Sequence, residues 1–118
     1  MPAKPTDELF ERIAERLQAL GDATRLKILH SLEDRERCVS EILAIVGGSQ
    51  ANVSKHLARM RASGVLAARR EGTNIYYRVV DPAAFQVCRT VCDALEERAA
   101  SEHRLLQSAA RASRKASR

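Results

Sequence analysis

Apolar residues recur at helical spacing along most of the chain, and glycines interrupt the recurrence at a few points. Residues 7–20 predict a first helix whose apolar face carries Leu9, Ile13, Leu17 and Leu20. Gly21 ends this helix, and Asp22 is a suitable N-cap for a second helix that extends to about Leu32. The charged run at residues 33–37 that follows is expected to be a solvated connection.

Two further helices are predicted around a glycine turn. A short third helix begins near Cys38, Gly47 and Gly48 form the turn, and Ser49 caps a fourth helix. The inward face of that fourth helix carries Val53, Leu57 and Met60. Gly64 then fits the C-terminal position of a helix that needs a left-handed backbone.

The pattern changes after Gly64 from helical spacing to alternation. The segments VLAARR and NIYYRVV predict two strands of a hairpin, and Glu71-Gly72-Thr73 forms its tip. Pro82 opens a last long helix, along which apolar residues follow a 3-4-3-4 spacing at Phe85, Cys88, Cys92, Leu95 and Ala99. The order helix, turn, helix and hairpin predicts a mainly α fold with a small β-hairpin wing, the winged helix-turn-helix.

A chain of 118 residues with this pattern predicts one domain over residues 1–107. Residues 108–118 are dominated by Ala, Ser, Arg and Lys, and we expect a basic, flexible tail there. No stretch is long and apolar enough for a membrane span, and no leader is recognisable, so we expect a cytoplasmic protein with no membrane partner. In that compartment the three cysteines are expected to be reduced thiols.

The net charge of +5 is unevenly distributed. Between residues 49 and 80, Glu71 is the one acidic residue against Lys55, Arg59, Arg61, Arg69, Arg70 and Arg78. The segments on either side of this region are net acidic, and positive charge returns only after Arg104. The positive charge therefore gathers on the second helix of the helix-turn-helix and on the hairpin, where it favours a polyanion.

The second helix of a helix-turn-helix presents its N-terminal residues to base edges in the major groove. Amide side chains suit adenine, whereas serine and basic side chains reach bases or phosphates. The residues expected to read double-stranded operator DNA are Ser49, Gln50, Asn52, Ser54, Lys55, His56 and Arg59. Wing contacts to the backbone or minor groove are expected from Arg69, Arg70, Thr73 and Asn74.

Several motifs together resemble the ArsR/SmtB family of bacterial repressors. They are LGDATRLKILHSL, CVSEI, SQANVSKHLARMRASGVL and RREGTNIYYRV, in that order over roughly residues 10–100. The resemblance implies a homodimer, formed through the first and last helices, that represses its own operon. It also implies that an inducer weakens binding to an imperfect palindrome. In this family Cys38 would correspond to the first cysteine of a metalloid-binding CxC box, whose second position is Ser40 here.

The three cysteines are the candidate effector site. Cys38 stands at the start of a helix, where the helix dipole favours a thiolate, and Cys88 and Cys92 are four residues apart on one helical face. Soft ions prefer thiolate ligands, and three sulfurs suit trigonal arsenite. We therefore expect no required cofactor, and a possible inducer that is As(III) or a soft metal ion (Cd, Pb or Hg) bound by Cys38, Cys88 and Cys92.

Other interpretations stay open at this point. The same thiols could form a reversible disulfide or polysulfide, which would make the protein a redox- or sulfide-responsive repressor of the same fold. Cysteines 88 and 92 also lie on an apolar stripe, so they could be core residues of a winged-helix DNA binder that has no inducer. An enzyme is not expected, because no nucleophile–base pair or phosphate-binding glycine loop has motif support.

Overall fold

The computed structural model describes Lys4 and residues 6–116, and it forms five helices and three strands within that range. The helices are α1 (Asp7–Leu20), α2 (Ala23–Ser31), α3 (Val39–Val46), α4 (Gln50–Ala62) and α5 (Ala83–Ala116). The strands are β1 (Arg37–Cys38), β2 (Leu66–Glu71) and β3 (Asn74–Val79). The predicted mainly α fold with a hairpin wing is confirmed.

The helix boundaries follow the capping residues that the sequence indicates. Asp22 accepts a hydrogen bond from the backbone of Arg25 at 3.1 Å, and Ser49 accepts one from Asn52 at 3.1 Å. Gly47, Gly48 and Gly64 all have positive φ, as expected for glycines that end helices or form turns. These caps set where α2 and α4 begin, and therefore which of their residues face the core.

The core is aliphatic and joins the helix-turn-helix to the base of the hairpin. Its largest fully buried side chains come from α2, α3, α4 and the start of the hairpin: Ile28, Leu29, Ile42, Val53, Leu57, Met60 and Val65. None is aromatic, in keeping with an aromatic content of 3%. One face of α4 is thus fixed on the core while the other is left outside.

The sheet has three strands in the order β1-β3-β2, all antiparallel. The predicted hairpin is β2 and β3, and their register pairs Arg69 with Tyr76 and Glu71 with Asn74. The strand β1 corrects the expectation of a solvated connection at residues 33–37, because Arg37 pairs with Tyr77 and Cys38 with Tyr76. The segment that begins α3 is therefore hydrogen-bonded to the wing.

The chain divides into two compact units, one ending at Phe85 and the other beginning at Gln86. Helix α5 has 34 residues and continues through Ala116, so the described part of the segment 108–118 is helical. The flexibility of that basic segment, and the domain boundary at residue 107, stay predictions. Within the described residues, no helix is both long and apolar enough to cross a bilayer.

Candidate nucleic-acid interface and thiols

Helix α4 presents a polar N-terminal face to solvent. Its buried residues Val53, Leu57 and Met60 repeat at helical spacing and hold one side on the core. The opposite side leaves Gln50, Asn52 and Lys55 exposed at the first turns, with Arg59 exposed farther along and Ser54 half-buried. Ser49 is exposed too, and its hydroxyl oxygen caps the helix. Five of the seven residues predicted on this helix and its cap are therefore exposed, and Ser54 is half-buried.

His56 departs from the sequence expectation, because its side chain is only 12% exposed. The imidazole lies against the start of α2, with Nδ1 3.4 Å from Nη1 of Arg25 and Nε2 3.9 Å from Oδ1 of Asp22. An arginine can only donate hydrogen bonds, so Nδ1 of His56 is the acceptor. His56 packs α4 against α2 in this arrangement and does not extend from the exposed face.

The partner of His56 is itself buried and joins three helices. Arg25 is 8% exposed, and its Nη2 donates to the backbone oxygen of Gln18 at 2.8 Å. Asp22 accepts from the backbone of Arg25, and that hydrogen bond is the main cause that lowers the pKa of the Asp22 carboxyl. This cluster of Gln18, Asp22, Arg25 and His56 joins α1, α2 and α4, and sequence periodicity gave no sign of it because its members are distant along the chain.

On the wing, Arg69 is held by carboxylates and is not open to solvent on all sides. Its Nε lies 2.8 Å from Oε1 and 3.0 Å from Oε2 of Glu36, and its Nη1 lies 2.8 Å from Oε2 of Glu71. Its guanidinium carbon is 4.8 Å from the centroid of the Tyr76 ring, within cation–π range. Arg69 is exposed like Arg70, Thr73 and Asn74, but its guanidinium is engaged by Glu36 and Glu71, and its contact to DNA stays a prediction.

Cys38 is buried, 8% exposed, at the junction of β1 and α3. Its backbone N–H donates to Oε1 of Glu41 at 3.1 Å, and this bond is the main cause that lowers the pKa of the Glu41 carboxyl. Its Sγ lies 3.2 Å from Oγ of Ser40. The predicted position of Cys38 at the start of a helix is confirmed, and its backbone links that helix to the wing through Tyr76.

Cys88 and Cys92 lie one turn apart on α5, as their spacing predicts. Cys88 is half-buried, and burial raises the pKa of its thiol. Cys92 is exposed in the single chain, and the charge of Glu96 raises the pKa of its thiol, with its Sγ 3.7 Å from Oε1 of Glu96. Both residues are therefore held as protonated thiols near neutral pH.

The three cysteines are divided between the two compact units, with Cys38 in the first and the other two in the second. All three are free thiols. Within Lys4 and residues 6–116 of one chain, no group of three or more His, Cys, Asp or Glu side chains is placed to hold a metal ion. A single described chain thus offers the pair Cys88 and Cys92 as its one predicted two-thiol element.

Comparison with known proteins places the chain among bacterial regulators. Residues 22–67 match the family model for bacterial regulatory proteins of the arsR family. The chain is 43% identical over 67 residues to the transcriptional regulator KmtR of Mycobacterium tuberculosis, covering 57% of this chain and 52% of KmtR. It thus spans about half the length of that relative.

Two solved structures are similar over most of their length. The antimony-specific transcriptional repressor AntR superposes with a TM-score of 0.73 at 31% identity, covering 82% of this chain and 88% of AntR. The homodimeric winged helix-turn-helix domain Mb0332 of Mycobacterium bovis, a possible ArsR-family regulator, gives a TM-score of 0.69 at 30% identity. That match covers 82% of this chain and 93% of Mb0332. These relatives are transcriptional regulators, not enzymes.

Proposed function

Because the chain belongs to the ArsR/SmtB family of winged helix-turn-helix transcriptional regulators, we propose that it is a homodimeric repressor that binds operator DNA through α4. The main support for this proposal is the exposed polar N-terminal part of α4. The opposite face of this helix is buried and aliphatic, and a glycine turn precedes the helix. A helix held in this way can enter the major groove without exposing the core.

The proposed DNA contacts follow from exposure. Base edges and nearby phosphates are contacted by the N-terminal part of α4 and its cap, through Ser49, Gln50, Asn52, Ser54 and Lys55. Arg59 reaches the backbone from farther along α4, and the wing contributes Arg70, Thr73 and Asn74. His56 supports the angle of α4 from behind, through its contacts to Arg25 and Asp22.

Dimerisation is supported by the apolar face of α1. In the single chain Leu9, Phe10, Ile13 and Leu17 are 44–57% exposed. Exposed apolar stripes of this kind mark interaction surfaces, and the related domain Mb0332 is homodimeric. A two-fold dimer places two α4 helices against two half-sites, so the operator is expected to be an imperfect palindrome.

The proposed inducer is a thiophilic species, As(III) or a soft metal ion such as Cd, Pb or Hg, bound by Cys88 and Cys92 together with Cys38. Cys88 and Cys92 supply two sulfurs on one face of α5, and a third from Cys38 of the same or the other protomer completes a trigonal set. The related AntR is antimony-specific, which supports a thiophilic metalloid. Since the thiol pKa values of Cys88 and Cys92 are raised, binding must release protons and should tighten as pH rises.

The alternative is a redox-responsive repressor that uses the same three free thiols. An oxidant or persulfide donor would then form a disulfide or polysulfide and release the DNA. The protonated state of Cys88 and Cys92 slows such attack at neutral pH, since the thiolate is the nucleophile. The same protonation opposes metal binding, for which the thiolate is the ligand, so the raised pKa values do not separate the two mechanisms.

The testing experiment is fluorescence anisotropy of the reduced protein on DNA from its own upstream promoter. Arsenite, antimonite, Cd(II), Pb(II) and Hg(II) are titrated first, and a disulfide-forming oxidant and a persulfide donor follow. Operator binding that an unrelated duplex does not reproduce would support the repressor. Release by an ion, absent when all three cysteines are replaced by serine, would support the thiol sensor.

The other outcomes select among the alternatives. Release only by the oxidant or the persulfide donor, reversed by a dithiol, would replace the metal proposal with thiol redox sensing. Release by nothing, with wild-type and serine variants alike, would leave a DNA binder whose cysteines are structural. No binding to the promoter at any salt concentration would overturn the repressor itself.

A further inference from the structure

The wing and the helix-turn-helix are joined by one cluster of side chains on the outer face of the sheet, formed by Glu36, Arg69, Glu71 and Tyr76. Arg69 lies between the two carboxylates and over the ring of Tyr76, its partner across the ladder. Glu36 comes from the segment immediately before β1, 33 residues earlier. The Glu36–Arg69 pair therefore connects strand β2 to the segment that leads into α3.

All three nitrogens of the Arg69 guanidinium donate to carboxylates. Its Nε and Nη2 both donate to Glu36, and its Nη1 donates to Glu71. The bond from Arg69 is the main cause that lowers the pKa of the Glu36 carboxyl, so Glu36 is ionised at neutral pH. A phosphate would have to compete for this guanidinium with two carboxylates, one of them bound in a forked geometry.

Arg70 has the opposite character. Successive strand residues point to opposite faces, so Arg70 shares the face of the buried Leu66 and lies on the side turned toward the helices. It is exposed, and in the part of the chain that the structure describes its side chain makes no hydrogen bond or ion pair. Arg70 is thus a wing guanidinium that is available to a phosphate.

We propose that Arg69 is a positioning residue of the wing and not a DNA contact: the Glu36–Arg69 ion pair holds the hairpin so that Arg70 reaches the phosphate backbone. The proposal rests on the proposed operator binding and deepens it. Glu36, an acidic residue close to a DNA-binding surface, then strengthens binding even though its charge repels phosphate. The proposal is testable because it predicts that loss of the Glu36 charge weakens DNA binding, whereas charge repulsion alone predicts that this loss tightens it.

The decisive variant is Glu36→Gln, studied by anisotropy on the operator over a range of salt concentrations. Removing a negative charge near DNA should by itself tighten binding. We expect instead a several-fold weaker affinity and a shallower salt dependence, because Arg70 is displaced. The matched control is Glu33→Gln, which removes a carboxylate from the same connection, where it contacts His30 and not the wing. Unchanged or tighter binding by Glu36→Gln would overturn the proposal.

Two further variants separate positioning from direct contact. Arg70→Gln should reduce the salt-dependence slope by about 0.9 for each phosphate that is no longer neutralised, or about 1.8 for a dimer. Arg69→Gln added to Arg70→Gln should then cause no further change, because Arg69 acts through Arg70. An additional loss of similar size would show that Arg69 contacts phosphate itself. Arg69→Lys keeps the charge but not the forked geometry, so its operator affinity should be as low as that of Arg69→Gln. An operator affinity equal to that of wild type would contradict the proposal.

The failure of this inference is distinguishable from the failure of the proposed function. If the wild-type protein does not bind its operator, the proposed function is overturned and this inference with it. If wild type and Arg70→Gln behave as expected while Glu36→Gln binds as tightly as wild type, only the positioning role is overturned. Circular dichroism and thermal unfolding of each variant confirm that a weaker affinity belongs to folded protein.

Discussion

Lys55 is a residue whose role is decided by the helix that carries it. It lies on the side of α4 opposite Val53 and Leu57 and is exposed. Replacing it with alanine should weaken operator binding. If Lys55 contacts a base, the loss should be about 1–3 kcal/mol; if it contacts a phosphate, the slope of log affinity against log salt concentration should fall by about 1 per contact. Dimerisation should not change, because Lys55 is outside α1 and α5.

Anisotropy at several salt concentrations, with sedimentation velocity for the oligomeric state, measures both effects. Lys27→Ala is the matched control, since it removes an exposed lysine of α2 that is outside the proposed DNA surface. If Lys55→Ala binds the operator as tightly as wild type does, α4 is not the recognition helix.

Cys92 illustrates how one neighbour sets the reactivity of a thiol. The charge of Glu96 is the largest cause that raises the pKa of Cys92. Glu96→Gln should therefore lower that pKa, increase the thiolate fraction at pH 7–8 and accelerate alkylation by iodoacetamide. Peptide mass spectrometry measures the alkylation rate. Glu97→Gln is the control, because Glu97 is not among the groups that shift the pKa of Cys92. Equal rates in wild type and Glu96→Gln would contradict this account.

At the level of elements, local pattern was sufficient for the helices and the hairpin but not for β1. Caps and turn glycines such as Asp22, Ser49 and Gly64 act within a few residues, so the sequence displays them directly. Strand β1 has two residues, and it pairs with β3, some 40 residues later, so no periodicity reveals it. Two residues were too few to show alternation.

The same reasoning explains which candidate site residues could be placed on an exposed face from the sequence. Exposure on α4 follows from helical spacing, which places Gln50, Asn52 and Lys55 outside. The packing of His56 on Arg25 and the capture of Arg69 by Glu36 depend on contacts between residues 31 and 33 positions apart. Such pairs are set by tertiary structure, and composition showed only that these side chains are basic.

The turn between α3 and α4 requires a glycine at position 47. Its φ of 81° and ψ of −177° lie in a region that glycine alone adopts without strain, and a Cβ added there would meet no other group within 4 Å. Gly47→Ala should therefore lower the free energy of unfolding by about 1–3 kcal/mol through the backbone alone. Urea denaturation measures this change.

The control for that substitution is Gly21→Ala. Gly21 has a φ of −83°, which alanine adopts, and an added Cβ would lie 3.3 Å from the backbone oxygen of Leu17, a tight contact that requires a small shift of the backbone. Its cost should be the smaller of the two. If Gly21→Ala proves as destabilising as Gly47→Ala, the backbone argument for the turn is wrong.

For the whole molecule, we expect DNA binding and dimerisation to use different parts of the chain, a basic region and the apolar face of α1. Positive charge concentrates between residues 49 and 80, whereas the exposed apolar side chains of the first helix are Leu9, Phe10, Ile13 and Leu17. Operator affinity in a two-fold dimer is the product of two linked half-site contacts, and it is lost when the link is broken. A mutation on the DNA-binding surface is thus expected to weaken DNA binding without affecting dimerisation, whereas a mutation that breaks the dimer should weaken DNA binding as well.

Ile13→Glu tests this dependence. Ile13 is 44% exposed in the single chain, and a carboxylate placed there would have to be desolvated in a dimer interface. We expect sedimentation to show a monomer and operator affinity to fall by about 10²-fold or more, the range that linkage of two sites supplies. Glu11→Gln, on the polar side of α1, should leave both properties unchanged. A variant that stays dimeric would exclude this face of α1 from the interface, and a monomer with undiminished affinity would mean that one protomer is enough to hold the operator.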